Sequence, residues 1–328
     1  MCEIRVIMKT YINIHSNFSY FLNALAFNII LITVVMSAHH ETYKVVHGWP
    51  QLPENDALDQ VTGVGVDSRN RVFISHRGAN PIRAFEAESG KQVAAWGHAV
   101  INSPHGLEVD REDNIWITDT GNHQVYKFSN EGKLLMTVGT KGETGADKEH
   151  FKRPTSVAVL PSGEFYVADG YGNSRVVKFD KNGEYLLEWG QKGEGPGDFN
   201  TVHGITVDEK GKVYVADRSN NRIQVFEGNG RFITQWQSEK IGRPWSVAYG
   251  SDGYIYVADG GDVNDTPPER NGAVKLDLNG QVIARWGSFG SYDGQFYWAH
   301  DIGVDKDGAV YVVDVHHGMR VQKFVRSQ

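Results

Sequence analysis

The stretch His105-Gly-Leu-Glu-Val-Asp-Arg-Glu-Asp-Asn-Ile-Trp-Ile-Thr-Asp119 reads as two short strands joined by a tight turn. Its apolar residues flank Glu112-Asp113-Asn114, a run of side chains that favour turn geometry. The first strand of this unit returns with variations as Thr62-Gly-Val-Gly-Val-Asp67, Thr155-Ser-Val-Ala-Val-Leu160, His203-Gly-Ile-Thr-Val-Asp208, Trp245-Ser-Val-Ala-Tyr-Gly250 and His300-Asp-Ile-Gly-Val-Asp305. The openings are spaced about 42 to 55 residues apart, the period of propeller blades.

The rest of each unit follows the same plan. Second strands such as Phe165-Tyr-Val-Ala-Asp169 and Val213-Tyr-Val-Ala-Asp217 end in aspartate. A polar loop, a third strand (Arg175-Val-Val-Lys-Phe179, Arg222-Ile-Gln-Val-Phe226), a Gly turn and a fourth strand ending in Trp-Gly complete the blade. The expected fold is all-β: a six-bladed propeller of four-stranded antiparallel blades. The sixth blade runs out of chain after Phe324, and Tyr43-Lys-Val-Val-His-Gly-Trp49 reads as its missing fourth strand. Pairing the two would close the ring and satisfy both edges. Residues 41–328 thus form one propeller domain, with the stretch from Asp262 to Asn271 as a long surface loop or lid.

Residues 1–40 differ from the rest. A mildly basic start (Arg5, Lys9) precedes an uncharged apolar run from Phe21 to Met36, then Ser37 and Ala38, the pattern of a signal peptide or an N-terminal anchor. A secreted or periplasmic chain is expected, touching a membrane only if this segment stays uncleaved. The one cysteine, Cys2, lies here, so the propeller would hold no disulfide. A formal charge of −7 on 328 residues excludes nucleic acid as a first guess, and a monomer is expected.

The recurring aspartates fix turns, since a carboxylate at a strand-to-loop junction accepts loop amides. Function is therefore sought where the repeat breaks. The phrase-opening residue reads Thr62, His105, Thr155, His203, Trp245, His300, so alternate blades carry an imidazole. In a closed ring His105, His203 and His300 converge on the axis, and three neutral imidazoles with an open fourth position are the ligand set of a catalytic zinc. A hairpin brings the start of its first strand beside the end of its second. Arg77, Tyr171 and Arg218, in the loops after the second strands, therefore share the histidines' mouth. The arginines offer bidentate docking for a carboxylate. Tyr171 becomes a general base only where positive charge favours its phenolate. After each opening residue stand small side chains, except at Asp301. A carboxylate near the axis needs a cation or a partner: a second, oxygen-liganded ion such as Ca2+, or a histidine ligand of the zinc.

These motifs together, with His76-Arg77-Gly78, Pro104-His105-Gly106-Leu107, Asp169-Gly170-Tyr171-Gly172-Asn173-Ser174-Arg175, Ala216-Asp217-Arg218 and Ala299-His300-Asp301, resemble the NHL-repeat propellers and, within them, the catalytic core of the peptidyl-α-hydroxyglycine α-amidating lyases, without the monooxygenase. The resemblance spans roughly residues 55 to 325. It implies cleavage of a peptide ending in α-hydroxyglycine to a peptide amide and glyoxylate. It also implies zinc on His105, His203 and His300, Tyr171 as base, and Arg77 and Arg218 on the substrate. A structural calcium would sit on Asp301 and the carbonyls of Val64 and Leu107. Trp298 stands where the animal enzymes carry methionine, and Gly172 replaces a cysteine of a family disulfide, which leaves substrate size open and makes a related α-hydroxy acid or hemiaminal an alternative. Two other readings compete: a non-catalytic NHL scaffold binding a protein or glycan on its face, and a calcium-dependent lactonase-type hydrolase.

Overall fold

The structure is a computed structural model and describes residues 41–261 and 270–327. The expected signal or anchor segment and most of the expected lid, residues 262–269, lie outside the described residues. Six four-stranded antiparallel sheets follow one another in meander order. Blade one is Val61–Val66, Arg71–His76, Ile82–Glu86 and Gln92–Trp96. The first strands of the next four blades are Pro104–Val109, Ser156–Val159, Val202–Val207 and Pro244–Tyr249. Blade six contributes Ala299–Val304, Val310–Asp314 and Arg320–Arg326, and its fourth strand is Tyr43–Val45 from the other end of the chain. The pairs Tyr43 with Arg326, Lys44 with Val325 and Val45 with Phe324 close the ring, over a shorter strand than the expected Tyr43 to Trp49. Among the described residues no helix is long and apolar enough to cross a membrane.

The core consists of slices between neighbouring blades. Successive strand residues face opposite sides; in the second strand of blade one, Val72 and Ile74 pack toward blade six, while Phe73 packs toward blade two. The second strands are therefore largely apolar on both faces, and Phe165–Asp169 and Val213–Asp217 are buried throughout. Fully burying one such side chain stabilises the fold by about 1.5–3 kcal/mol.

The terminal aspartates do what their repetition implies. Asp119 accepts the amides of Asn102, Ser103, Gly121 and Asn122. Asp314 accepts those of Tyr297 and Trp298. In blade one the position is His76, buried, whose Nδ1 accepts the amides of Asp59 and Gly78 and so replaces the carboxylate. That break in the repeat is structural.

Candidate metal centre

In five of the six first strands the ladder skips the phrase-opening position: Thr62, His105, His203, Trp245 and His300 all fall at a shift in register. Such a bulge frees a residue from pairing and re-aims its side chain. The three imidazoles meet at the axis with ring centroids 4.6, 4.7 and 4.9 Å apart. Their nitrogens lie within 4.8 Å of one another, the one group with metal-binding spacing among the described residues.

The non-histidine blades explain the alternation. His105 Nδ1 lies 2.6 Å from Thr155 O, His203 Nδ1 2.6 Å from Trp245 O, and His300 Nδ1 2.7 Å from Thr62 O. Each acceptor is the carbonyl of the opening residue in the next blade. A carbonyl only accepts, so Nδ1 carries the proton in every ring and Nε2 is left as a lone pair. Burial, reinforced by neighbouring positive charge, holds His105 and His203 well below the ordinary histidine range, and burial holds His300 at about 3. All three are neutral at physiological pH.

Tyr171 stands at the edge of this triad, its Oη 3.0 Å from Nε2 of His105 and 3.0 Å from Nε2 of His203. A phenol has one proton and can donate to one of them. Three convergent lone pairs sharing a single donor fit a cation, which would satisfy all three, and neutral imidazoles suit a transition metal. The flanking glycines set Tyr171 in place: a Cβ on Gly170 would stand 1.6 Å from Val202 O, and one on Gly172 2.2 Å from the Lys152 side chain. Arg218, on a short 3-10 turn (Arg218–Asn220), points Nη1 at Tyr171 Oη over 3.4 Å, and its guanidinium lies 5.4 Å from the Tyr171 ring and 4.6 Å from the Trp245 ring. Arg77 donates to Gln60 and lies within electrostatic reach of Tyr171. The mouth thus brings together the six residues singled out for it.

Below the imidazoles is a small cavity bounded by Thr62, Ser246 and Asp301. Asp301 accepts the Val64 amide over 3.0 Å and the Ser246 hydroxyl. Burial pushes its carboxyl up to about 7, and burial with repulsion from Asp301 and Asp110 pushes Glu108, further along the channel, up to about 8. Two half-buried carboxyls without a cationic side chain beside them suit a hard cation with oxygen ligands. Two larger cavities open on the far face, where Asp67, Asp110, Asp208 and Asp305 are occupied by turn amides.

His316 and His317 stay outside the cluster, exposed, with rings 4.3 Å from Trp298 and 4.8 Å from Tyr297. Trp298 stacks on Trp245 at 6.3 Å and forms an aromatic wall on the blade-five and blade-six side. Trp298 was singled out in the sequence as a change in the pocket wall; the rim feature that sequence reasoning missed is Arg153, whose guanidinium lies 5.1 Å over the Tyr171 ring. Both stand two residues before a phrase opening, in the series Gln60, Ser103, Arg153, Thr201, Arg243, Trp298. Carbonyls of this series accept the amides of Arg77, Thr120, Tyr171, Arg218 and Val315, which builds the rim. That register is visible in the sequence and leads to Arg153.

The NHL repeat model matches residues 102–128, 151–179, 199–226 and 296–324. The chain is 32% identical over 301 residues to peptidyl-glycine alpha-amidating monooxygenase B of Xenopus laevis, covering 82% of this chain and 34% of that one. It thus spans about a third of that relative's length. It is 30% identical over 322 residues to peptidyl-alpha-hydroxyglycine alpha-amidating lyase 2 of Drosophila melanogaster, covering 86% of this chain and 75% of the lyase. It is 34% identical over 316 residues to NHL repeat-containing protein 3 of Homo sapiens, covering 86% and 84%. With its six-bladed ring and histidine triad, the chain belongs to the NHL-repeat propeller family that includes the peptidyl-α-hydroxyglycine α-amidating lyases.

Proposed function

We propose that the chain is a zinc-dependent carbon–nitrogen lyase that cleaves a peptidyl-α-hydroxyglycine, or a related α-hydroxy acid or hemiaminal, to an amide and glyoxylate. The observation that carries this reading is the convergence of three Nε2 lone pairs beside the Tyr171 hydroxyl. Nε2 of His105, His203 and His300 would hold the zinc, which when bound supplies Lewis acidity toward the substrate's hydroxyl oxygen.

The residues divide the remaining work. Arg77 and Arg218 bind the terminal carboxylate and turn the hydroxyl toward Tyr171. Deprotonated Tyr171 takes the hydroxyl proton while the N–H of Arg218 steadies its oxygen. As the C=O bond of glyoxylate forms, the C–N bond breaks, and the nitrogen keeps the electron pair and takes a proton to become the amide. Tyr171 supplies that proton, so the cycle balances. The aromatic wall keeps water from the reacting carbon. Asp301, with the carbonyls of Val64 and Leu107, is the proposed seat of a structural calcium. The apolar segment from Phe21 to Met36 supports export of the chain.

The second reading is a non-catalytic scaffold: human NHL repeat-containing protein 3, matched over 84% of its length, is named for its repeats and not for a lyase activity. The two separate on metal and product. Purified protein with about one equivalent of zinc that releases glyoxylate from an α-hydroxyglycine peptide is the lyase. Protein without transition metal or turnover is the scaffold. The all-histidine donor set disfavours the lactonase-type reading.

A further inference from the structure

Most arginines of the blades are paired with acids. Arg83 is bound to Asp56, Arg175 to Asp169 and Glu188, and Arg222 to Asp217. The mouth differs: among the described residues Arg77, Arg153 and Arg218 make no ion pair, the Arg153 and Arg218 guanidiniums lie 5.1 and 5.4 Å from the Tyr171 ring, and Arg77 is within electrostatic reach of it. This concentration of positive charge stands in a chain of net charge −7. A substrate ending in α-hydroxyglycine brings one carboxylate, which Arg77 and Arg218 suffice to dock. Arg153 is left over.

Its placement is built. The backbone at Arg153 is left-handed, with φ at 63°, directly before Pro154. A bulky side chain disfavours that conformation, so the surroundings must impose it. They do: the Arg153 amide donates to His123 Nδ1 over 3.3 Å, its carbonyl accepts the Tyr171 amide over 3.4 Å, and the neighbouring Lys152 amide donates to Asp169 over 2.9 Å. The exposed guanidinium is thereby held at the blade-three rim beside Tyr171.

We propose that Arg153 is a specificity-determining residue: a second anion subsite, next to the carboxylate dock, for an acidic side chain in the residue that precedes α-hydroxyglycine. The substrate class is then a peptide ending in Asp or Glu followed by α-hydroxyglycine. The inference rests on the lyase reading for the substrate's identity, while the anion subsite rests on the rim itself.

The test compares kcat/KM for acetyl-X-α-hydroxyglycine with X as Asp, Asn or Lys, read as glyoxylate release. A charge-assisted contact at a partly exposed site predicts a preference for Asp over Asn of roughly fivefold to tenfold, carried by KM. In Arg153→Gln that ratio should fall toward one, and Arg153→Lys should restore part of it. A wild-type ratio near one, or a ratio unchanged in Arg153→Gln, overturns the subsite. Equal loss of kcat on all three substrates also overturns it, because Arg153 would then only position Tyr171. If wild-type protein releases glyoxylate from none, the lyase reading fails, and calorimetric binding of acetyl-Asp-Gly against acetyl-Asn-Gly decides the subsite. Tighter binding of the Asp peptide, lost in Arg153→Gln, supports it, and equal binding rejects it.

Discussion

His300 donates its Nδ1 proton to the carbonyl of Thr62 over 2.7 Å, from the last blade to the first across the seam of the ring. The bond orients a metal ligand and ties it to ring closure. A metal on the triad would then pin blades two, four and six together and stabilise only the closed ring. At a metal concentration about a thousandfold above Kd, linkage adds about 4 kcal/mol to stability. A chelator should therefore lower Tm well beyond its effect on His203→Ala, which should purify without zinc. Equal chelator sensitivity in the two proteins, or elemental analysis finding no transition metal in the wild type, removes the metal centre.

Tyr171→Phe deletes one oxygen and leaves the ring between its glycines. The expected loss in kcat is about a hundredfold to ten-thousandfold, the range for general acid–base groups, with zinc content unchanged. Glyoxylate release at the wild-type rate would remove Tyr171 as base. Loss of zinc together with activity would make it a support for the imidazoles instead.

The channel acids give a pH dependence with a definite sign. In the metal-free folded protein burial raises Asp301 to about 7 and Glu108 to about 8. Both lie above their unfolded values, so the folded state binds more protons between about pH 4 and 8. Stability from this source is fully present below that window and is lost as pH rises through it. A hard cation in the channel offsets the loss, so Ca2+ should raise Tm more at pH 8 than at pH 5. In Asp301→Asn both the slope and the calcium response should shrink. A calcium effect independent of pH and of Asp301 would place the ion elsewhere.

The fold was legible because every blade repeats one pattern, and because the repeat distinguishes turn aspartates from residues that break it. The triad was legible for the same reason, since His105, His203 and His300 break the repeat in register. Less legible was why alternate blades carry them: the carbonyls of Thr62, Thr155 and Trp245 belong to the backbone, and any residue type supplies one. The bulges were hidden too, since a register shift depends on how two strands pair. His76 broke the repeat for a structural reason, as an imidazole can accept turn amides like a carboxylate. Arg153 was less legible because it reaches the rim from the segment before a first strand, whereas Arg77, Tyr171 and Arg218 reach it from the loops after second strands.

Gly170 tests whether the site depends on close approach of two blades. Its φ requires no glycine, yet a Cβ there would stand 1.6 Å from the carbonyl oxygen of Val202 and 2.5 Å from its carbon. Both are backbone atoms of the strand that carries His203 on the next residue. Gly170→Ala must therefore move the Tyr171 loop outward or push the His203 strand away. Overpacking of this kind costs about 1–3 kcal/mol, so a drop in Tm is expected. A displaced loop lowers kcat with zinc retained, whereas a displaced strand lowers zinc content as well. Because Tyr171 Oη touches Nε2 of His203, either movement should reduce glyoxylate release by tenfold or more. Wild-type stability and turnover in Gly170→Ala would mean that the contact between blades three and four does not hold Tyr171 at the metal.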